Sequence, residues 1–499
     1  MKFNFEKNLQ QRLAKPEYNT NINIDEVLKK VKYPTTPPSL EDLKIHIHIS
    51  CEETLPMEAT LTQRQMLEDF NQFKFLIQYV YSGYKVIGEE FFEKAFLKLL
   101  AFIENHQTAT KEEFSKEIYL SLEGLEDNHF SITPYKGVCF RPLAIRGRRK
   151  TYINSKYNIT KSNKDFFISD RKIVSINGSH NIGRFIKMVC GVDGKLKLGF
   201  VVREIQNTVG EHIILNIDFE NGDTLSATLN LKKFEPLQHH NNGFVKKPEN
   251  CIYIRNTACE LRTQKQQEEL DGFCKIIENS INDIDFAIID ARSNRGGADM
   301  FNSAIHKAIL NMESFKQNIG LFHLCAKQFW HETNKKSDTE YSKSIYENYQ
   351  ESIKNGTPNI KEITLRKQEN SPHNNKIIFV LTDERSTSSG EQYNTQLRTF
   401  ANVVFLNDNT AGMMHFGNLT NYYLSHSKIK LKLANSHLIF GNCFVENKGF
   451  PPDVYFDCDA SDILKTLQNF INQNTTLKCP SLTSLQKYEH ETLEENKNK

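Results

Sequence analysis

The sequence predicts an α/β protein, with a parallel sheet enclosed by helices, a helical segment ahead of it and a strand-rich segment between the two. Three observations carry this reading. Ile377-Ile378-Phe379-Val380-Leu381 is a short, β-branched apolar run, as a strand covered on both faces requires, and Gln392 to Phe400 after it reads as an amphipathic helix. Phe286-Ala287-Ile288-Ile289-Asp290 repeats the strand pattern about ninety residues upstream of the serines that come after the first run. Between Leu61 and Glu123, Leu67, Phe70, Phe73 and Leu76, with Ile77 and Val80, recur at helical steps, and Phe91, Phe92, Phe96, Leu99 and Leu100 do so again. An aromatic stripe of this kind belongs in a core.

In chain order the sequence divides into five regions. Residues 1–55 are polar and proline-punctuated around Pro34 to Pro38, an extension that packs on something or stays mobile. Residues 56–135 form the helical region. Residues 136–248 are rich in alternating runs such as Lys197-Leu198-Gly199-Phe200-Val201-Val202 and His212-Ile213-Ile214-Leu215-Asn216-Ile217, which read as strands. Residues 249–475 hold the parallel-sheet core, and 476–499 a polar, charged tail expected to be disordered.

Chemistry concentrates where the core strands end. Ser386-Thr387-Ser388-Ser389-Gly390-Glu391 comes after the strand Ile377 to Leu381, so Ser388 is expected at a helix N-terminus, where unpaired N–H groups and the helix dipole can stabilise an oxyanion. These serines could equally do no more than cap the helix. The other strand runs into Ala291-Arg292-Ser293-Asn294-Arg295-Gly296-Gly297, and paired glycines tolerate positive φ and let backbone N–H groups face a ligand oxygen. The Asp-x-Arg-x-Asn-x-Gly-Gly pattern from Asp290, the Thr387-Ser388-Ser389-Gly390-Glu391 segment and Asn409-Thr410-Ala411-Gly412 resemble, in that order, three landmarks of the C-terminal-processing (tail-specific) serine peptidases.

That family divides by its general base. In the Ser-Lys branch the lysine comes directly after the Thr-x-Gly landmark, and here that position is Met413. Lys428, Lys430 and Lys432 alternate along Ser427 to Leu433 and read as the solvent face of a strand. The resemblance is therefore to the branch typified by the tricorn core, which uses serine, histidine and an acid from distant parts of the chain. Asp127-Asn128-His129 resembles the family's Asp-x-His element and makes His129 the expected base, with His415, beside the Thr410-Ala411-Gly412 landmark, as its competitor. Gly449-Phe450-Pro451-Pro452-Asp453 resembles the family's Gly-x-x-Pro-Asp ending, and Glu446 just before it takes the place of the triad acid.

The resemblance implies a crotonase-like (ClpP/crotonase) α/β catalytic core. It also implies a PDZ-like module in the strand-rich region, where Lys172-Ile173-Val174-Ser175-Ile176-Asn177-Gly178 is similar to a PDZ strand and turn. The glycine-rich carboxylate loop of such a module is not evident, so a degenerate, non-binding version stands beside a binding one. Crotonase-type acyl-CoA enzymes share the fold and its paired N–H groups, and the serine motif with Glu446 is what favours a peptidase. The implied mechanism is acyl transfer from a peptide or protein substrate to Ser388. His129 takes and returns the proton, Glu446 orients the ring, and the N–H groups of Ser389 and of the Gly296-Gly297 turn hold the oxyanion. It calls for no cofactor and no metal. The alternative is a catalytically silent relative that binds peptides or apolar ligands.

Composition narrows the partners. Lys plus Arg is 63 against 61 Asp plus Glu, a net charge of +2, which gives no general reason to bind nucleic acid or an anionic membrane. The local run Arg141, Arg146, Arg148, Arg149 and Lys150 reads as a solvated turn or as an attractor of acidic substrate ends. The ten cysteines are irregularly spaced, which favours thiols over disulfides. No stretch has the length of a transmembrane helix or a secretory signal, so the expectation is a cytoplasmic protein, or a periplasmic or secreted one if a leader has been removed. Oligomeric state is not readable from the sequence.

Overall fold

The computed structural model describes residues 2–18, 38–51, 54–142, 149–205, 210–233, 242–310, 321–323, 360–362, 376–440 and 443–485. Arg146, Arg148, most of the Pro34 to Pro38 stretch and the end of the charged tail lie outside these. The longer helices of this part are α1 (Phe5–Leu13), α2 (Gln63–Tyr79), α3 (Glu89–Glu104) and α4 (Lys111–Ser121), with shorter ones at Leu40–His46 and Tyr84–Ile87 between them. Helices α2 and α4 begin at capping boxes in which Thr62 and Thr110 exchange hydrogen bonds with Gln65 and Glu113. The chain then enters β1 (Ser131–Tyr135).

The strand-rich region comprises β2 (Arg149–Ser162), β3 (Asp165–Ile168), β4 (Arg171–Ile176), β5 (Ile186–Gly191), β6 (Leu196–Ile205), β7 (His212–Phe219) and β8 (Thr224–Leu231). The core adds β9 (Gly243–Lys246), β10 (Cys251–Asn256), α5 (Gln264–Ser280), β11 (Phe286–Asp290) and α6 (Asp299–Leu310). It continues with β12 (Ile377–Thr382), β13 (Val403–Asn407), β14 (Phe416–Tyr423), β15 (Lys430–His437), β16 (Val454–Asp457) and α7 (Ile463–Asn474).

A 13-stranded sheet runs β8-β7-β4-β3-β2-β6-β5-β16-β13-β12-β11-β10-β9, and a further pairing of β8 with β2 closes its strand-rich end on itself. From β5 through β16, β13, β12 and β11 to β10 the pairing is parallel. The apolar runs of β11 and β12 are continuous because both faces are covered. Ala287, Ile289, Ile378 and Val380 face α5 and α6, which contribute Phe273, Ile277, Phe301 and Ile305. Phe286, Ile288, Phe379 and Leu381 face α7, which contributes Leu467, Phe470 and Ile471. The strand-rich end is tied to the carboxyl ends of the core strands. Thr151 donates to Asp408 at 2.7 Å, and Lys232 Nζ donates to Asn407 Oδ1 at 2.8 Å and Phe456 O at 2.7 Å.

The β14–β15 hairpin leaves the core and joins β1 in a second sheet. Its Phe416, Tyr422, Leu431 and Leu433 share one hydrophobic cluster with Phe70, Phe73, Phe92 and Phe96 of the helices. This packing brings the loop after α4 onto the carboxyl ends of the parallel strands.

The start of the chain is also anchored. Arg12 is fully buried, paired with Asp453 at 2.8 Å, and donates to Arg398 O at 3.0 Å and Phe400 O at 3.2 Å. Removing one partner of a buried ion pair leaves the other charge uncompensated. Arg12→Ala is therefore expected to lower unfolding stability by about 3–5 kcal/mol, measured by denaturant titration.

Candidate active site

The serine loop is a sharp turn held by its neighbours. After β12 the chain passes into a single 3-10 turn, Ser388–Glu391, and Ser388 sits at φ 52°, a left-handed conformation uncommon for a residue with a side chain. Ser386 Oγ donates to Ala291 O at 2.8 Å and accepts from Asp383 N at 3.0 Å, and Asp383 Oδ1 accepts from Ser293 N at 2.8 Å. Ser389 Oγ donates to Asp299 Oδ1 at 2.6 Å, with Gly297 O at 2.8 Å. Ser388 Oγ, in contrast, makes no hydrogen bond among the described residues.

The helix expected over Gln392 to Phe400 is only Gln392–Gln396, and all five of its residues are buried. It is not amphipathic. Asn394, Thr395 and Gln396 make their polar contacts inside the protein, as where Asn394 Nδ2 donates to Tyr18 Oη at 3.0 Å. So short a helix has little dipole to offer, and any oxyanion support falls to individual N–H groups.

The glycine turn lies directly on the serine turn. Gly296 and Gly297 have φ of 78° and 145°, and a Cβ on Gly296 would stand 2.8 Å from Ser388 Cβ and 3.0 Å from Ser389 N. A Cβ on Gly297 would meet Cys259 O at 2.2 Å. The Gly296 N–H donates to Asn294 Oδ1 at 2.8 Å, so of the pair Gly297 is the one whose N–H makes no hydrogen bond among the described residues.

His129 and Glu446 meet on the other side of the site. Asp127, in the loop before β1, is fully buried; its Oδ1 accepts from His129 N at 2.6 Å and Phe130 N at 3.1 Å, and its Oδ2 from Tyr81 Oη at 2.7 Å. These bonds fix the backbone that carries the His129 ring. Glu446, also fully buried, accepts from Asn128 N at 3.0 Å and His415 N at 3.2 Å. One ligand-type atom from each of Asp127, His129 and Glu446 lies within 4.8 Å of the other two. The His129 ring makes no hydrogen bond among the described residues, and its Nδ1 is buried.

A chain of hydrogen bonds joins the two halves. The Glu391 carboxylate accepts from Ser388 N and the Thr410 side chain, from Gly412 N at 3.0 Å and from Met413 N at 2.6 Å. Gly412 O accepts from Asn128 Nδ2 at 2.9 Å, and Asn128 N reaches Glu446. Gly449 closes against the same turn: a Cβ there would fall 1.8 Å from Thr410 O.

Burial governs the electrostatics. Desolvation pushes Glu391 up to about 7 against the pull of its four donors. It raises Asp127 to about 6 and, with the charge of Asp127 added, lifts Glu446 well above the ordinary carboxylate range. His129 is drawn down to about 3 by burial and then by the positive charges of Lys432 and Arg141.

The competitor His415 has both ring nitrogens engaged, with Nδ1 2.7 Å from Leu438 O and Nε2 accepting from Val445 N at 3.0 Å. It is a buried structural histidine. Lys430 and Lys432 alternate on β15, but Lys432 is half-buried and its charge acts on His129 and Asp127, so it does not simply face solvent. In the basic run, Lys150 pairs with Glu384, four residues before Ser388.

Residues 250–456 match the sequence model of peptidase family S41. This segment, less than half of the chain, is similar to that family. Family S41 is one of serine peptidases, which places the chain among the hydrolases. Similar solved structures include mature CPAF complexed with lactacystin, at 14% identity over 82% of this chain and 99% of that one with a TM-score of 0.44. The photosystem II D1 C-terminal processing protease is 14% identical over 84% of this chain and 99% of its own length, with a TM-score of 0.39. The tricorn protease is 13% identical over 86% of this chain and 37% of that one, with a TM-score of 0.35. No curated protein sequence matches.

The sequence assigns no role to Asp127 or Asn128 and offers Glu391 only as a substitute acid should Glu446 fail, although Asp127 and Glu391 stand inside the motifs quoted for their neighbours. What marks them is burial of a charged side chain with several backbone donors, which no local pattern reveals. Glu391→Ala would leave the N–H groups of Gly412 and Met413 without their acceptor and free the Ser388 turn. It is expected to lower Tm by about 5 °C and kcat by at least about 100-fold, read by calorimetry and steady-state kinetics.

Proposed function

We propose that the chain is a serine peptidase of the Ser-His-Glu type, in the tricorn-like branch of its family. It hydrolyses peptide bonds as an endopeptidase or a C-terminal-processing peptidase. Ser388 Oγ attacks the scissile carbonyl while His129 takes its proton; the tetrahedral oxyanion is held by Ser389 N–H and Gly297 N–H. Protonated His129 then gives the proton to the leaving amine, an acyl-Ser388 ester forms, and water activated by His129 hydrolyses it. Glu446 orients the ring and supports the imidazolium. In the resting chain, closure of the Ser388–His129 and His129–Glu446 hydrogen bonds awaits substrate, as catalytic contacts often do.

The observation that carries this reading is the hydrogen-bonded path from the strained Ser388 through Glu391, Gly412 and Asn128 to Glu446 beside His129. Four motifs far apart in sequence converge there, and the two groups that would exchange the proton are unengaged among the described residues. The parallel sheet with helices on both faces further supports a crotonase-like core, and the self-closed strand-rich end supports a PDZ-like module. The deciding experiment is covalent trapping. A fluorophosphonate should add one adduct, mapped to Ser388 by mass spectrometry, in protein that also cleaves a peptide library. Peptide binding without adduct or cleavage would instead identify a silent relative, and turnover of esters but not peptides another acyl-transfer enzyme.

A further inference from the structure

The geometry around His129 points to a second property of this site. We propose that Asp127, His129 and Glu446 form a binding site for a zinc-class divalent cation, which on binding occupies the imidazole and reversibly blocks its use as a base. The blocking half of this statement rests on the peptidase reading, whereas the binding half does not.

Three features support the site. The donor set is one imidazole and two carboxylates, the combination that borderline transition dications prefer, and two buried carboxylates carry the charge such an ion balances. Atoms within 4.8 Å of one another would put a central cation no more than about 2.8 Å from each, against the roughly 2.0–2.2 Å of zinc–nitrogen and zinc–oxygen bonds. Side-chain rotations of under about an ångström close that gap, and water completes a tetrahedral shell.

Second, among the described residues His129 Nδ1 is buried and has no hydrogen-bond partner, which leaves it able to face a metal. Third, the outer shell is already in place. Tyr81 Oη and the N–H groups of His129 and Phe130 hold Asp127, and the N–H groups of Asn128 and His415 hold Glu446. Asp127 Oδ1 is used up by its two N–H donors, but among the described residues Asp127 Oδ2 and the two Glu446 oxygens accept one hydrogen bond each and keep a lone pair for an ion, and ligands oriented in this way are what metal sites require. Lys432 opposes the cation, since its charge acts on both Asp127 and His129.

The test uses the full chain carrying Ser388→Ala, which leaves the three ligands intact and removes any dependence on catalysis. After treatment with a chelator, zinc chloride titrated into this protein in a calorimeter should bind one equivalent with micromolar or tighter affinity. Adding His129→Ala should weaken that binding at least about 100-fold, and the conservative Asp127→Asn, which keeps the fold, at least about tenfold. Lys432→Gln should tighten it. Absence of a stoichiometric site, or binding unchanged in both ligand variants, would overturn the proposal, the latter by assigning the metal to cysteines elsewhere. In the wild-type chain, zinc should inhibit peptide cleavage and the chelator restore it. Binding without inhibition would remove the blocking role and leave the site, so failure of the peptidase reading and failure of the metal site are told apart.

Discussion

Ser388→Ala is expected to abolish peptide cleavage, with kcat falling by about five to six orders of magnitude, as loss of a nucleophile does in serine peptidases that act through a triad. The neighbouring serines sharpen the test. Ser386→Ala removes a hydroxyl that bonds Ala291 O and Asp383 N, and should cost about 1–2 kcal/mol of stability while much of the activity remains. Ser389→Ala loses the bond to Asp299 but keeps the backbone N–H assigned to the oxyanion, so it too should stay active. Steady-state kinetics on the three variants, with circular dichroism to confirm folding, decides the matter. A folded Ser388→Ala protein with full activity would remove Ser388 as nucleophile, and a fluorophosphonate adduct on Ser389 would move the role one residue.

The parts of this site that lie just past a strand were legible in the sequence. Phe286–Asp290 and Ile377–Thr382 announce themselves because a parallel strand covered on both faces must be apolar throughout, and the small polar and glycine-bearing segment after each is short enough to read as a turn. The glycines were legible for a similar reason, since only a residue without a Cβ fits at 2.2 Å from Cys259 O. The segment after Ser388 misled, because Gln392, Asn394 and Gln396 look like a solvent face and are all buried, Asn394 against Tyr18 hundreds of residues away. Local periodicity also had no means of showing that Phe416 and Leu431 pack among the phenylalanines of α2 and α3, or that Arg12 would be held by Asp453. The first of those contacts places the loop that carries His129, so its neighbourhood could be named by resemblance and understood only in three dimensions.

Replacing the histidines separates the base from its competitor. His129→Ala should lower kcat by about four or more orders of magnitude with little change in Tm, because its ring makes no hydrogen bond among the described residues. His415→Ala should do the opposite, since both ring nitrogens bond the backbone, and its cost should appear as a lower Tm. Glu446→Gln keeps the shape of the acid and removes its charge, so kcat should fall while KM changes little. The pH profile then discriminates further. From the sequence alone a rate transition near the histidine range of about 6 to 7 is expected, but burial depresses His129 to about 3, so the ring is already neutral well below that range. Asp127 and Glu446 are both raised, Asp127 by burial and Glu446 by burial first and then by the charge of Asp127, so the pair retains a proton as pH approaches neutrality. Supporting an imidazolium requires Glu446 ionised, and activity should therefore rise as the pair loses that proton. In chelator-treated protein the acid limb of kcat/KM should move to lower pH in Asp127→Asn, because removing the neighbouring charge lets Glu446 ionise sooner. An acid limb unchanged by Asp127→Asn would mean that the carboxylate pair does not set it, and a high-kcat Glu446→Gln enzyme would take Glu446 out of the triad altogether.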